Sequence, residues 1–239
     1  MHKDKTVIVL GSEGALGSQI IKDLSKESFL NIVTVDRHKK SKFGNRVVKH
    51  YQTDFSKPNK LKVFIKHISS LLGKETIIIS TIGKFGSDHE KEKVNFSTIV
   101  KTIQINLLGV AEVCLEISSQ CIKQNGKLRI IIVGSTAGAV GSRDIGYGVS
   151  KSGLNGLVLS MSKCFAKSNV TVIGINPGIF ESSMSASVSK QRQLAAIGST
   201  HLKRGGNISE ISNIILYAAL HAPHFLTGSL ININGGQYS

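Results

Sequence analysis

Three side chains that could do chemistry together fall within one stretch, Ser135-Thr-Ala-Gly-Ala-Val-Gly-Ser-Arg-Asp-Ile-Gly-Tyr147-Gly-Val-Ser-Lys151. Tyr147 and Lys151 are four residues apart. On a helix that spacing puts two side chains on one face, with Cβ atoms about 5–6 Å apart. An ammonium beside a phenol favours the phenolate. A tyrosine tuned in this way can trade protons with a carbonyl or an alcohol near neutral pH. Ser135 follows the β-type run Ile130–Val133, where its hydroxyl can point across a crevice at the same oxygen. The set suits conversion of C=O to CH–OH, or the reverse. A Tyr and a Lys at this spacing are common on helices, so the reading depends on the elements that would position them.

Thr6 to Leu10 is apolar and β-branched and reads as a buried strand. The turn Gly11-Ser12-Glu13-Gly14-Ala15-Leu16-Gly17 follows, then a helical run through Ile20, Ile21 and Leu24. Strand, glycine turn and helix form the context of a dinucleotide fingerprint. Such a turn lets the backbone approach a pyrophosphate, and the helix start offers unpaired N–H groups and the positive end of its dipole. A second strand, Asn31 to Val35, ends at Asp36, nineteen residues beyond Gly17. An acid there can accept hydrogen bonds from adenosine ribose hydroxyls. Asp36 repels a 2′-phosphate and favours NAD, whereas Arg37 could pair with that phosphate and favour NADP; the balance falls toward NAD. A third strand, Val47 to Gln52, leads to Asp54, which could meet an adenine amino group or simply serve a turn.

The remaining chain alternates in the same way. Lys60 to Leu72 has helical spacing, Ile77 to Ser80 reads as a strand, and Phe96 to Gln124 as one long helix containing Asn106. An Asn inside an apolar helix is disfavoured and asks for a reason. Arg129 to Gly134 is a fifth strand, Tyr147 to Lys167 a helix, and Val170 to Ile175 a sixth strand. A loop is expected from Asn176, a substrate lid over about residues 179–206, a helix from Ser209 to Leu220 and a seventh strand over Ser229 to Ile233. The pattern predicts a single α/β domain over residues 1–239: a Rossmann-type, doubly wound, seven-stranded and mostly parallel sheet with helices on both faces.

Bulk properties narrow the class. Cys114, Cys121 and Cys164 are odd in number and have no metal-ligand spacing, so buried thiols in a reducing, cytoplasmic setting are expected and a metal is not. No signal peptide or membrane span is expected. The net charge is +15, and ten Lys/Arg against one acid lie between Arg37 and Lys66. No aromatic stacking set accompanies these lysines, so the patch reads as a solvated basic surface rather than a nucleic-acid site.

With the glycine turn, Asn106, Ser135 and the Tyr147/Lys151 pair, the chain resembles the short-chain dehydrogenase/reductase family, in its compact single-domain branch. Later markers agree: Asn176-Pro177-Gly178, Glu181-Ser182, Arg204-Gly, and Leu226-Thr-Gly228 through Asn234-Gly-Gly. It is most similar to 3-oxoacyl-carrier-protein reductases and related secondary-alcohol dehydrogenases. The resemblance implies that Tyr147 is the general acid in reduction. Lys151 would lower its pKa and bind the nicotinamide ribose. Ser135 would polarise the carbonyl, and Asn106 would position a water that links Lys151 to solvent. It also implies that Gly11 to Gly17 hold the pyrophosphate, and that Asp54 and Phe55 meet the adenine. Thr81 would lie along the cofactor, with Pro177, Gly178, Phe180 and Ser182 toward its nicotinamide end. The partner implied is a small carbonyl or alcohol, free or carrier-bound, and the chain would form a homotetramer or homodimer. Two departures stand out: Ala15 fills the middle glycine position, and Ser80-Thr-Ile-Gly83 replaces the usual Asn-Asn-Ala-Gly. The competing expectation is a cofactor-binding regulatory or scaffold protein of the same fold without turnover.

Overall fold

The computed structural model describes residues 5–27, 30–44, 47–86, 95–181 and 188–238. Seven strands form one sheet: β1 (Lys5–Leu10), β2 (Leu30–Asp36), β3 (Lys49–Gln52), β4 (Glu75–Ser80), β5 (Lys127–Val133), β6 (Val170–Pro177) and β7 (Leu230–Ile233). Their order is β3-β2-β1-β4-β5-β6-β7, and every pairing is parallel. The central strands are apolar at nearly every position because both of their faces are covered. Successive side chains alternate faces. Ile8, Leu10, Ile78, Ile130 and Ile132 therefore enter one core, and Val7, Val9, Ile77, Ile79 and Ile131 the other.

The first core is closed by α2 (Pro58–Ile68), α4 (Gly109–Lys123) and α6 (Ile145–Cys164), the last of which follows the short α5 (Ala137–Val140). The second is closed by α1 (Ala15–Leu24) and by a C-terminal helix over Ile208–Leu220. The order of the strands reverses between β1 and β4, so a crevice opens at their carboxyl ends, where open α/β sheets bind ligands.

Several expectations are corrected. The long helix is not uniform: α3 (Phe96–Ile103) passes through a π-helical turn at Gln104–Leu108 before α4. Asn106 sits inside that turn, fully buried. By length and composition the run Phe96–Lys123 could cross a membrane. Its Val110, Cys114, Ile117 and Cys121 pack into the first core instead. Asn176 and Pro177 extend β6 rather than begin a loop, because they pair with Asn232 and Ile233. Within the expected lid, Lys190–Gly198 forms α7, and Ile208–Leu220 becomes α8. Cys114 and Cys121 are buried as expected, but Cys164 is exposed at the end of α6.

Candidate active site

The crevice is a cleft of about 960 Å³. The glycine turn forms one wall. Gly11 has φ +82°, a conformation that favours glycine, and a Cβ there would sit 2.9 Å from the Thr81 hydroxyl. At Gly17 a Cβ would run into the Gly11 carbonyl, so this glycine lets α1 begin directly against the end of β1. Thr81 donates its hydroxyl hydrogen to the Leu10 and Gly11 carbonyls, at 2.9 and 3.1 Å, and tightens the same turn. Gly11, Gly14, Ala15, Leu16 and Gly17 all line the cleft. Ser12 does not: it is fully buried, and its hydroxyl has no partner among the described residues.

Asp36 closes the turn from β2. Its carboxylate accepts the Glu13 amide at 3.1 Å and bonds the His38 amide at 3.2 Å and ring at 2.6 Å. Asp36 and Arg37 both line the cleft. Asp54 and Phe55 stand nearby. Burial pushes the Asp54 carboxyl up, but bonds from the Ser56 hydroxyl (2.7 Å) and amide (2.9 Å), with Lys57 and Lys60, hold it below the usual range. Pro177, Gly178 and Phe180 line the cleft as well, whereas Ser182 lies outside the described residues.

The other wall carries Ser135, Tyr147 and Lys151. Ser135 stands just past β5 and shares a hydrogen bond with Tyr147. Lys151 is 3% exposed; its Nζ donates to the Val133 carbonyl at 3.0 Å and lies 5.6 Å from the Tyr147 ring centre. Burial pushes the Lys151 ammonium down to about 8. Tyr147 departs from the expectation of a lowered pKa. Burial raises its phenol first, Ser135 pulls it back, and Asp144 raises it again. The protein's own groups therefore keep Tyr147 a neutral acid, the form that can donate a proton.

Asn106 lies beneath this wall rather than in it. Its Oδ1 accepts the Lys84 amide at 2.9 Å. Its Nδ2 donates to the Lys84 carbonyl at 2.9 Å and to the Ser150 hydroxyl at 3.1 Å. The polar residue that was out of place in an apolar helix thus pins the loop after β4 to α6.

Two contributors escaped the sequence reading. Asp144 caps α6, accepting the Tyr147 amide at 2.9 Å, and its other oxygen accepts the Gly86 amide at 2.5 Å. An Asp three residues before Tyr147, at the start of a helical pattern, is the cap signal that could have found it. Phe85 packs against Tyr147 with ring centres 4.4 Å apart, a contact that no local pattern announces.

The buried ammonium has a stability consequence. A lysine whose pKa falls from 10.5 to about 8 on folding costs stability below pH 8. That cost fades as pH rises through the window from 8 to 10.5, where the unfolded chain holds the extra proton. Lys151→Met should therefore be stabilised relative to wild type at neutral pH. The gap should narrow by about 2 kcal/mol between pH 7.5 and 10. Urea unfolding of both proteins at the two pH values checks this; a gap that stays constant contradicts it.

Residues 5–193 match the family model described as short chain dehydrogenase. A 3-oxoacyl-[acyl-carrier-protein] reductase of Buchnera aphidicola subsp. Baizongia pistaciae is 26% identical over 242 residues, covering 98% of this chain and 97% of that protein. The same reductase of Staphylococcus aureus is 25% identical over 249 residues, covering all of both chains. Among solved structures, a 4-hydroxyisoleucine dehydrogenase mutant complexed with NADH and succinate superposes with a TM-score of 0.87 at 21% identity, over 97% of this chain and 98% of that one. An actinorhodin polyketide ketoreductase variant with NADPH gives 0.85 at 19%, over 99% and 98%. At these identities the structural likenesses speak for the fold.

Proposed function

We propose that this chain, which belongs to the short-chain dehydrogenase family, is an NAD(P)-dependent oxidoreductase that reduces a ketone or oxidises a secondary alcohol. One observation carries the reading: Ser135, Tyr147 and Lys151 meet the glycine turn across a single cleft at the reversal of the strand order. The residues fit a dinucleotide. Gly17 is a position where only glycine leaves room for α1 against the turn, and the start of α1 lines the cleft. Gly11 to Gly17 would hold the pyrophosphate, Asp36 the adenosine ribose, and Lys151 the nicotinamide ribose. The bound nicotinamide supplies or accepts the hydride. In reduction, Ser135 donates a hydrogen bond to the carbonyl oxygen and Tyr147 delivers the proton to it. Lys151 sits 5.6 Å behind the ring and favours the phenolate left behind. In oxidation the proton moves the other way.

Asp36 favours NAD, because a 2′-phosphate would meet its carboxylate. The relatives named as 3-oxoacyl-carrier-protein reductases support a carbonyl substrate, free or carrier-bound. Exposed Leu108, Leu115 and Ile122, with Val149 and Leu159 on α6, support a homo-oligomer that covers these helices. Cys114 and Cys121 as buried thiols support a cytoplasmic setting. Parallel fluorescence titrations with NADH and NADPH test the cofactor. Micromolar binding with preference for NADH is expected, and no binding of either rejects the proposal.

Asp144 gives a further prediction. Its negative charge raises the Tyr147 phenol. Asp144→Asn keeps a cap oxygen for the Tyr147 amide but removes the charge. The pH midpoint of alcohol oxidation, which needs the phenolate, should move toward acid. A pH–rate profile that does not move, with the variant folded, contradicts this role.

A further inference from the structure

We propose that the substrate end of the cleft selects a carbonyl compound bearing an anionic group, a carboxylate or a phosphate, through Lys84, Lys101, Arg143 and Arg192. The inference rests on the reductase reading, which places the reacting carbonyl at Tyr147. All four cations line the cleft. Three of them stand on elements that converge beside Tyr147. The Lys84 amide and carbonyl are both held by the Asn106 side chain, and the next residue, Phe85, packs on the Tyr147 ring. Gly86 abuts α3 so closely that a Cβ would meet Thr98 at 3.0 Å and Thr102 at 3.3 Å; Lys101 lies on that turn. Arg143 directly precedes Asp144, whose two oxygens hold the Gly86 and Tyr147 amides. Arg192 comes from α7, within the expected lid.

The acids are distributed the other way. Glu13, Asp36 and Asp54 line the dinucleotide half of the cleft beside Arg37, and each acid is engaged there, with Lys42, His38 and Ser56 respectively. Asp144 is the single described acid lining the substrate half, and backbone amides take both of its oxygens. A surplus of +15 would scatter lysines anywhere. It does not by itself gather four cations against one acid in one half of a cleft whose other half holds three acids. Cations grouped at the mouth of a low-dielectric cleft focus the field and both attract and hold an anion.

Two matched pairs of probes test the proposal: 3-oxohexanoate against its methyl ester, and acetoacetyl-coenzyme A against acetoacetyl-N-acetylcysteamine. Binding is measured by calorimetry on the whole protein with oxidised cofactor saturating, so that coenzyme A cannot occupy the dinucleotide half. In at least one pair the anionic member should bind about tenfold more tightly at low salt. The advantage should shrink to about twofold at roughly 0.5 M salt, where the Debye length is a few ångströms. It should shrink likewise when Lys84→Gln is combined with Arg143→Gln, or Lys101→Gln with Arg192→Gln. The pair that responds tells a carboxylate from a phosphate. Equal binding within both pairs, or an advantage that survives the substitutions, overturns the proposal. Oxidation of NAD(P)H by the same probes separates the two readings. Equal turnover and equal binding of acids and esters reject the anion site and leave the reductase. An anion preference in binding with no turnover of any probe supports the anion site and rejects the reductase.

Discussion

Tyr147→Phe should lower turnover by at least about 10²–10⁴-fold, the range that one positioned acid–base group supplies. It should leave cofactor affinity within about threefold of wild type, because the hydroxyl is the only group removed. The ring keeps its packing against Phe85, and the Tyr147 amide keeps its bond to Asp144. The deleted hydroxyl is buried and bonded to Ser135, so its loss costs about 1 kcal/mol of stability rather than the fold. Single-turnover rates and nucleotide titrations on the same preparation separate these effects. A variant that binds the cofactor normally and turns over at the wild-type rate removes Tyr147 from the chemistry.

Gly17→Ala should be nearly as damaging, by another route. The added Cβ would occupy the space of the Gly11 carbonyl, which is backbone and has no rotamer to yield. Relief requires the start of α1 to lift away from the end of β1. That displaces the N–H groups proposed to hold the pyrophosphate. A loss of about 2–3 kcal/mol in stability is expected, with nucleotide affinity lowered about a hundredfold or more. Gly14 is the control. A Cβ there meets nothing nearer than the Gly11 carbonyl at 3.4 Å, an ordinary contact, and its φ is −67°. Gly14→Ala should change stability by less than about 1 kcal/mol. Equal destabilisation by the two substitutions, measured by urea unfolding, would show that the close approach at Gly17 is not what the turn needs.

What the sequence disclosed and what it hid follow from the range of the interactions. A parallel sheet covered on both faces leaves continuous apolar runs, so β1, β4 and β5 were visible as Val and Ile stretches. Tyr147 and Lys151 were visible because their relation is one helical turn. The Asp36 bonds to the Glu13 amide were hidden in detail, yet the glycine turn and a strand-end acid implied their neighbourhood. Asp144 and Gly86 are separated by 58 residues, and nothing local to either announces the bond between them. The packing of Phe85 on Tyr147 is of the same kind. Asn106 was recognised as out of place, but its partners Lys84 and Ser150 are tertiary, as is the π-helical turn that accommodates it. The raised Tyr147 phenol is hidden for a related reason: the spacing reveals the nearby ammonium but not the burial, which raises the phenol most strongly.

The central claim is that this cleft moves hydride and proton between a nicotinamide and a carbonyl. Deuterium transfer tests it most directly. The protein is mixed with NADH or NADPH deuterated at the reactive ring carbon and with a panel of 3-oxo acids and esters, and the products are read by mass spectrometry. Wild type should place one deuterium on the carbinol carbon of at least one product, and Tyr147→Phe should place almost none in the same time. A wild-type protein that binds the dinucleotide and labels no carbonyl, or a Phe variant that labels as fast, would contradict the account.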